Sequence, residues 1–471
     1  MLFNSLYFAL FVTVVLLGYH GVLRPFGARK TFLLAASWFF YATWSPRFLA
    51  LLIATTWVDF HLAQFIYARR WDAAGVERPA GRARARPLLV ASLALNLGFL
   101  AFFKYGRFLY ASAAALAPLG APPAFLAVVV PLGISFYTFH SISYVIDTYR
   151  GLRPPTRSFR DFALYVAFFP QLVAGPITRW GFFGPQLVAP PAVGWDDVER
   201  ALMYLARGYV KKVVFADSLG SFVDVVYAGV LDTGPIEGWL AFYAYAFQIY
   251  FDFSGYTDIA WGVAGLLGFR LPENFRHPYL AESPSDFWRR WHISLSTWLR
   301  DYLYIGLGGN RRGRVRTYVN LMLTMLLGGL WHGAAWTFVL WGAFHGVWLA
   351  LHRLVTETFP GRPRTPRWLR VVVTFHLVCL GWVLFRAGSP TVAWEMLQTL
   401  WSRKPLFGPF PVGPFLLIVV GIVTHALSRR IDVERTWLRT PAVVQGAAYA
   451  VVVVALGLFG AQTARFIYFQ F

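Results

Sequence analysis

Cysteine is all but missing: Cys379 stands alone in 471 residues, so a disulfide framework and a cysteine-rich metal site are both excluded. Its apolar neighbours make it read as an inert buried thiol. Charge is scarce too. Charged residues make up 14% of the chain, where a soluble protein would carry about a quarter, and no polar linker separates lobes. Acidic residues are scarcer than basic ones, 22 against 43, for a formal net charge of +21. In a soluble chain that imbalance would suggest nucleic acid. Here the basic residues fill short gaps between apolar runs and form no continuous patch, so no nucleic-acid partner is expected. There is no Walker loop, dinucleotide fingerprint or EF-hand loop, and no Gly-x-Ser-x-Gly elbow. Histidine spacing makes no metal-ligand set. Neither a metal nor a permanently bound cofactor is expected.

What remains is apolar: 57% hydrophobic and 18% aromatic, with 20 Trp and 44 Phe. That is the composition of an all-α, multi-pass membrane protein embedded in a lipid bilayer. Arg24, Arg29 and Lys30 follow the first apolar run, six arginines from Arg69 to Arg86 follow the third, and Arg150, Arg153, Arg157 and Arg160 come later. Cytoplasmic loops collect Lys and Arg, so these gaps give a consistent alternation of sides. No charge precedes Arg24, which reads as an uncleaved first span with its N-terminus outside. Apolar runs near 5–22, 31–43, 48–67, 88–103 and 131–147 make five crossings. More are expected within 220–269, 317–352, 371–386, 414–428 and 441–463, about ten to twelve helices at about 20 residues each. The stretch 162–176 is apolar but too short and too broken by Pro and Gly to cross, so it is expected to be re-entrant or interfacial. The whole of 1–471 is read as one polytopic domain.

Within Thr317–His352 there is no Asp, Glu, Lys or Arg, yet His332 sits there in Leu-Trp-His-Gly-Ala-Ala-Trp. If Arg316 and Arg353 face the same side, the stretch supplies about 54 Å of helix for two crossings that need about 60 Å. A tight hairpin is expected, with Gly328, Gly329 and Gly333 supplying the bends and His332 deep toward the outer half. A titratable group there is a functional candidate by default. The plain structural alternative is a neutral core histidine bonded to a carbonyl.

Farther upstream, Ser283, Pro284 and Asp286 form an N-cap, an N1 proline and an acidic N3, and a helix from Pro284 to about Tyr304 is expected. At 100° per residue, Trp288, Trp291, Leu295, Trp298, Leu299, Tyr302 and Leu303 share its apolar face. His292 falls in that stripe and points inward, where a core histidine and a catalytic one look alike. Asp252 and Asp258 are unusual in an apolar run; helix capping or pairing with a buried arginine is expected of them before acid catalysis.

The run Phe-Trp-Arg-Arg-Trp-His-Ile-Ser-Leu-Ser-Thr-Trp-Leu-Arg-Asp-Tyr-Leu-Tyr, followed by Trp-His-Gly-Ala-Ala-Trp, resembles the membrane-bound O-acyltransferase family. Pro-Leu-Gly-Ile-Ser-Phe-Tyr-Thr-Phe at 131–139, Phe-Phe-Pro-Gln-Leu-Val-Ala-Gly-Pro-Ile at 168–177 and Phe-Asp-Phe-Ser-Gly-Tyr-Thr-Asp-Ile-Ala at 251–260 resemble its bacterial alginate and exopolysaccharide O-acetylation branch. The likeness covers roughly 1–355; 356–471 match only in hydropathy and are expected to be C-terminal membrane helices. The resemblance implies acyl transfer, with the family histidine at His332 and the second motif's polar residue at His292. An imidazole with a pKa near 6.5 suits removal of a hydroxyl proton, so His332 is the expected general base. His292 could orient the acceptor or donate to the oxyanion. Trp288 and Trp331 are expected in the substrate pocket. The resemblance further implies acetyl-CoA as cytosolic donor, a polysaccharide acceptor, a periplasmic acetyltransferase partner and the bacterial cytoplasmic (inner) membrane as location. Arg289, Arg290, Arg311, Arg312, Arg314 and Arg316 could hold the coenzyme's phosphates or simply set topology. Alternatives are D-alanyl transfer to teichoic acid from a carrier protein and, outside enzymes, a proton-coupled transporter.

Overall fold

The computed structural model describes residues 1, 3–117, 120–361, 365–405, 409–460, 466 and 467. Among them there is no β-strand; the chain is built of α-helices with short π-helical and 3-10 turns. It packs as two compact units, Met1–Ala201 with Val263–Pro272, and Leu202–Gly262 with Glu273–Phe471.

Among the described residues, five helices are long and apolar enough to cross a membrane by length and composition: Pro46–Arg70, Gly81–Ala114, Trp336–Thr358, Arg367–Arg386 and Ala442–Phe459. Two shorter apolar helices, Leu6–Val22 and Val412–Leu427, accompany them. Of the last expected crossing, 441–463, residues 461–463 lie outside the described residues. Other expected spans form helices with buried polar faces that lower their hydropathy, as with His140, Ser141 and Ser143 in Ile134–Arg150 and Asn320, Thr324 and His332 in Arg314–His332.

In the first unit the Pro46–Arg70 helix starts as its sequence dictates. Ser45 caps it, and Pro46 occupies the first turn, where its missing N–H costs nothing. Asp59, fully buried within it, accepts from Ser92 Oγ at 2.6 Å and Asn96 Nδ2 at 2.8 Å, as a carboxylate out of water must. The broken stretch after it folds as two short helices, Phe159–Ala167 and Phe169–Leu172, and is buried continuously from Phe162 to Thr178. Side chains supply partners for its irregular backbone. Gln171 Nε2 donates to Tyr165 O, Tyr165 Oη donates to Thr178 O, and Thr178 N donates to His140 Nε2. Backbone at membrane depth survives only where protein satisfies it in this way.

In the second unit, two features frame the site. The long helix Pro235–Leu266 meets the end of the helix Trp195–Tyr209, just before the π-helical Val210–Asp217 segment, at Gly255 and Gly208, where a Cβ on either would come within 3 Å of the other's carbonyl oxygen. That close approach sets two lysines against two aspartates. Lys212 Nζ lies 2.6 Å from Asp252 and 2.7 Å from Asp217, while Arg207 and Lys211 hold Asp258 at 2.6 and 2.7 Å. Pairing is found at both aspartates, but the arginine at Asp258 is partly exposed and shares it with Lys211, and Asp252 pairs with a lysine instead.

The second feature is the hairpin of Arg314–His332 and Trp336–Thr358. Its turn is only Gly333, Ala334 and Ala335, so His332 is the last helical residue before the bend. Gly328 and Gly329 do not bend the chain as expected; they lie inside the helix. A Cβ on Gly329 would stand 2.2 Å from Phe338 O, and one on Gly342 would stand 2.4 Å from Met325 O. These glycines let the two helices touch backbone to backbone.

Candidate active site

The helix Pro284–Arg290 begins as the sequence predicts: Ser283 Oγ accepts from Asp286 N, and Asp286 Oδ2 accepts from Glu282 N and Arg290 Nε. It does not run to Tyr304. The chain extends at Trp291, and His292 turns into the left-handed region with φ 43° and ψ 54° before helix resumes at Ile293–Trp298 and π-helix at Leu299–Tyr304. Left-handed backbone is strained for a residue with a side chain and persists where surroundings impose it. The imposing segment is 274–276. Asn274 O accepts from Ile293 N at 2.9 Å, and Arg276 N donates to Arg290 O at 2.9 Å. These bonds satisfy the groups that the interrupted helix leaves open.

The inward direction of His292 therefore comes from this break and not from a continuous apolar stripe. Its side chain is fully buried, with Nδ1 3.0 Å from Asn274 Oδ1 and its ring 4.6 Å from Phe253, edge to face. Across from it lies His332. The two imidazole centroids are 6.5 Å apart, although one ring stands at a helix break and the other at a hairpin end.

His332 is 4% exposed and is walled by Trp331, Trp341 and Phe385 at 5.1, 5.0 and 5.2 Å. Trp331 is within 5.9 Å of His292 as well, so it borders both histidines. Trp288 does not share that position. Its ring packs on Trp341 at 5.6 Å and His345 at 5.2 Å, which puts it behind the wall that Trp341 forms. The basic residues flanking these motifs are partly engaged elsewhere: Arg290 pairs with Asp286, and Arg314 and Arg353 share Glu357.

Beside the histidine pair, a cavity of about 780 Å³ is lined by Arg207, Lys211, Tyr250, Asn274, His277 and His425 among others. Neither His292 nor His332 is among its lining residues. Asn274 links the two, lining the cavity and holding His292. Burial pulls the Lys211 ammonium down to about 8, against the opposing pull of Asp258. Among the described residues no three His, Cys, Asp or Glu side chains cluster as a metal site would require.

Asn274, Trp341 and Phe385 are the residues of this site that sequence reasoning passed over. Asn274 sits in Pro-Glu-Asn-Phe-Arg-His, which has no periodicity to mark it. The other two belong to ordinary aromatic helix faces. Phe253, by contrast, lies inside the quoted 251–260 motif.

Comparison with known proteins places the chain in a family. The profile of the membrane-bound O-acyltransferase family matches residues 150–387, a span that contains both histidines and Asn274. A protein of Azotobacter vinelandii named "Probable alginate O-acetylase AlgI" is 44% identical over 404 residues, covering 85% of this chain and 78% of that protein. Its namesake in Pseudomonas aeruginosa is 43% identical, covering 85% and 75%. A "Peptidoglycan O-acetyltransferase" of Helicobacter pylori is 36% identical over 430 residues, covering 84% and 79%. The chain belongs to the membrane-bound O-acyltransferase family and is a membrane-embedded acyltransferase.

Proposed function

We propose that this enzyme moves an acetyl group from acetyl-CoA, arriving from the cytosol, to a hydroxyl on the far side of a bacterial inner membrane, with His332 as the general base. The observation that carries the reading is the pair of buried imidazoles 6.5 Å apart, inside aromatic walls and inside the family's matching region. His332 takes the proton of the acceptor hydroxyl as its oxygen attacks the thioester carbonyl. The tetrahedral intermediate collapses by breaking the carbon–sulfur bond, and the thiolate leaves with the proton returned by the imidazolium. Dry aromatic walls strengthen every polar interaction in that step.

Sidedness follows from the basic loops. With Arg316 and Arg353 in the cytoplasm, His332 stands about 24 Å along its helix from Arg316, toward the outer leaflet. The cavity reaches Thr424, His425 and Leu427 at the end of the helix Val412–Leu427, next to Arg429 and Arg430 in a basic gap of the kind that faces the cytoplasm, and its Arg207 and Lys211 suit a phosphate-bearing donor. The acceptor class is a carbohydrate hydroxyl, on an exopolysaccharide or passed through a periplasmic partner protein, as the names of the similar O-acetylases suggest for this chain.

The test is transfer by purified, reconstituted protein from labelled acetyl-CoA to an alginate or peptidoglycan oligosaccharide. His332→Ala is expected to lower kcat at least a hundredfold with unchanged insertion and melting temperature. Wild-type transfer by that variant would remove His332 from the chemistry.

A further inference from the structure

The geometry points to Asn274 as the positioning residue that fixes His292 in a single tautomer, leaving its Nε2 as a hydrogen-bond acceptor for substrate. This inference rests on the proposed roles of the two histidines. Ser294 N lies 3.4 Å and Ser294 Oγ 2.9 Å from the same carboxamide atom that faces His292 Nδ1 at 3.0 Å. A backbone N–H only donates, so the atom there is the oxygen. The opposite end agrees. Asn274 Nδ2 faces Thr257 Oγ1 at 3.5 Å, and Thr257 Oγ1 spends its own hydrogen on Phe253 O at 3.0 Å, leaving it a lone pair for the amide.

An oxygen at that position obliges His292 Nδ1 to carry hydrogen. Neutral imidazole has one donor nitrogen and one acceptor, so Nε2 holds the lone pair. Nε2 is buried and has no hydrogen-bond partner among the described residues. Buried polar atoms are ordinarily satisfied, and one left open beside His332, at a residue held in strained backbone, is placed to meet a ligand. In its neutral form it accepts and cannot donate to the oxyanion. A hydroxyl proton cannot serve two rings at once. His332 takes the reacting one, and His292 receives a second substrate hydrogen, from a neighbouring sugar hydroxyl or from an amide N–H of the donor's arm. His332 faces His292 with ring centroids 6.5 Å apart, and Asp252, next in sequence to Phe253, is already paired with Lys212.

The experiment compares wild type, Asn274→Asp, Asn274→Ala, His292→Ala and His332→Ala in nanodiscs, reading kinetics over pH and the side-chain ¹⁵N signals of His292, assigned by difference from His292→Gln. Wild type is expected to show a protonated Nδ1 and a bare Nε2, and Asn274→Ala a mixture of tautomers with kcat down at least tenfold. Asn274→Asp keeps the oxygen and adds a charge beside Nδ1–H, which favours the imidazolium. It is expected to recover activity, with the acid limb of its pH profile moved to higher pH. A rise in KM for acetyl-CoA in His292→Ala assigns the second hydrogen to the donor, and a rise for the oligosaccharide assigns it to the acceptor. A protonated Nε2 in wild type, or Asn274→Ala with wild-type kinetics while His292→Ala is impaired, overturns the inference. Wild-type activity in both histidine variants overturns instead the reading on which it rests. Should Asn274→Ala fail to accumulate, the wild-type ¹⁵N signals and Asn274→Asp still decide.

Discussion

The residue that most repays attention is His292, because its backbone and its side chain are set by one neighbour. Asn274 supplies the main-chain acceptor for Ile293 and the side-chain acceptor for the imidazole. At φ 43° a β-branched side chain is a genuine outlier, whereas Asn tolerates the conformation. His292→Val is therefore expected to destabilise the protein by about 2 kcal/mol more than His292→Asn, read as a lower melting temperature in detergent. Equal melting of the two would show that the left-handed turn is not strained. Sequence reasoning placed His292 inside the protein, but by the wrong route. A helical wheel drawn through Pro284–Tyr304 cannot register a break whose cause, Asn274, is remote from the helix and local in nothing but space. The capping signal at Ser283, Pro284 and Asp286 was legible because every residue it needs lies within one turn.

At the scale of elements, glycines and lysines do the aligning. The hairpin's two helices meet at Gly329 and Gly342, each occupying space that a Cβ would need. Gly329→Ala must push the helices apart and is expected to cost about 1–3 kcal/mol. It should also lower kcat, since His332 is carried at the end of the displaced helix. Retained stability and activity would show that the contact is slack. The sequence marked these glycines as special, yet helix bending and helix contact leave the same composition, and only the packing separates them. Gly208 and Gly255 play the matching part for Lys211 and Lys212 against Asp258 and Asp252. Burial sets Lys211 at about 8, so its charge is present below that value and lost as pH rises through it. If the cavity holds the donor's phosphates, KM for acetyl-CoA is expected to climb between about pH 7.5 and 9 in wild type and to stay flat in Lys211→Arg, whose guanidinium remains charged. A flat wild-type profile would take Lys211 out of donor binding.

For the whole molecule, class came from composition and family from motifs, and both were legible in the sequence: few charges, many aromatic residues, basic loops between apolar runs, and two histidine motifs. Less legible was how the buried polar residues divide their work. Asp252 and Asp258 balance lysines and an arginine, His140 ties an irregular stretch together by accepting from Thr178, and His292 with His332 forms the pair around which the chemistry is proposed. All lie in apolar surroundings, so hydropathy treats them alike; what separates them is the partner each meets in space. The proposal turns on His332 acting as the base at which a thioester from one face of the membrane and a hydroxyl from the other meet inside the protein. Sealed vesicles of uniform orientation, with labelled acetyl-CoA on the face bearing Arg316 and Arg353 and an acceptor oligosaccharide on the opposite face alone, measure this directly. The account predicts label on the acceptor with the wild-type enzyme and none with His332→Ala. Label appearing at the wild-type rate in the variant, or in wild type only when both substrates share one face, would contradict it.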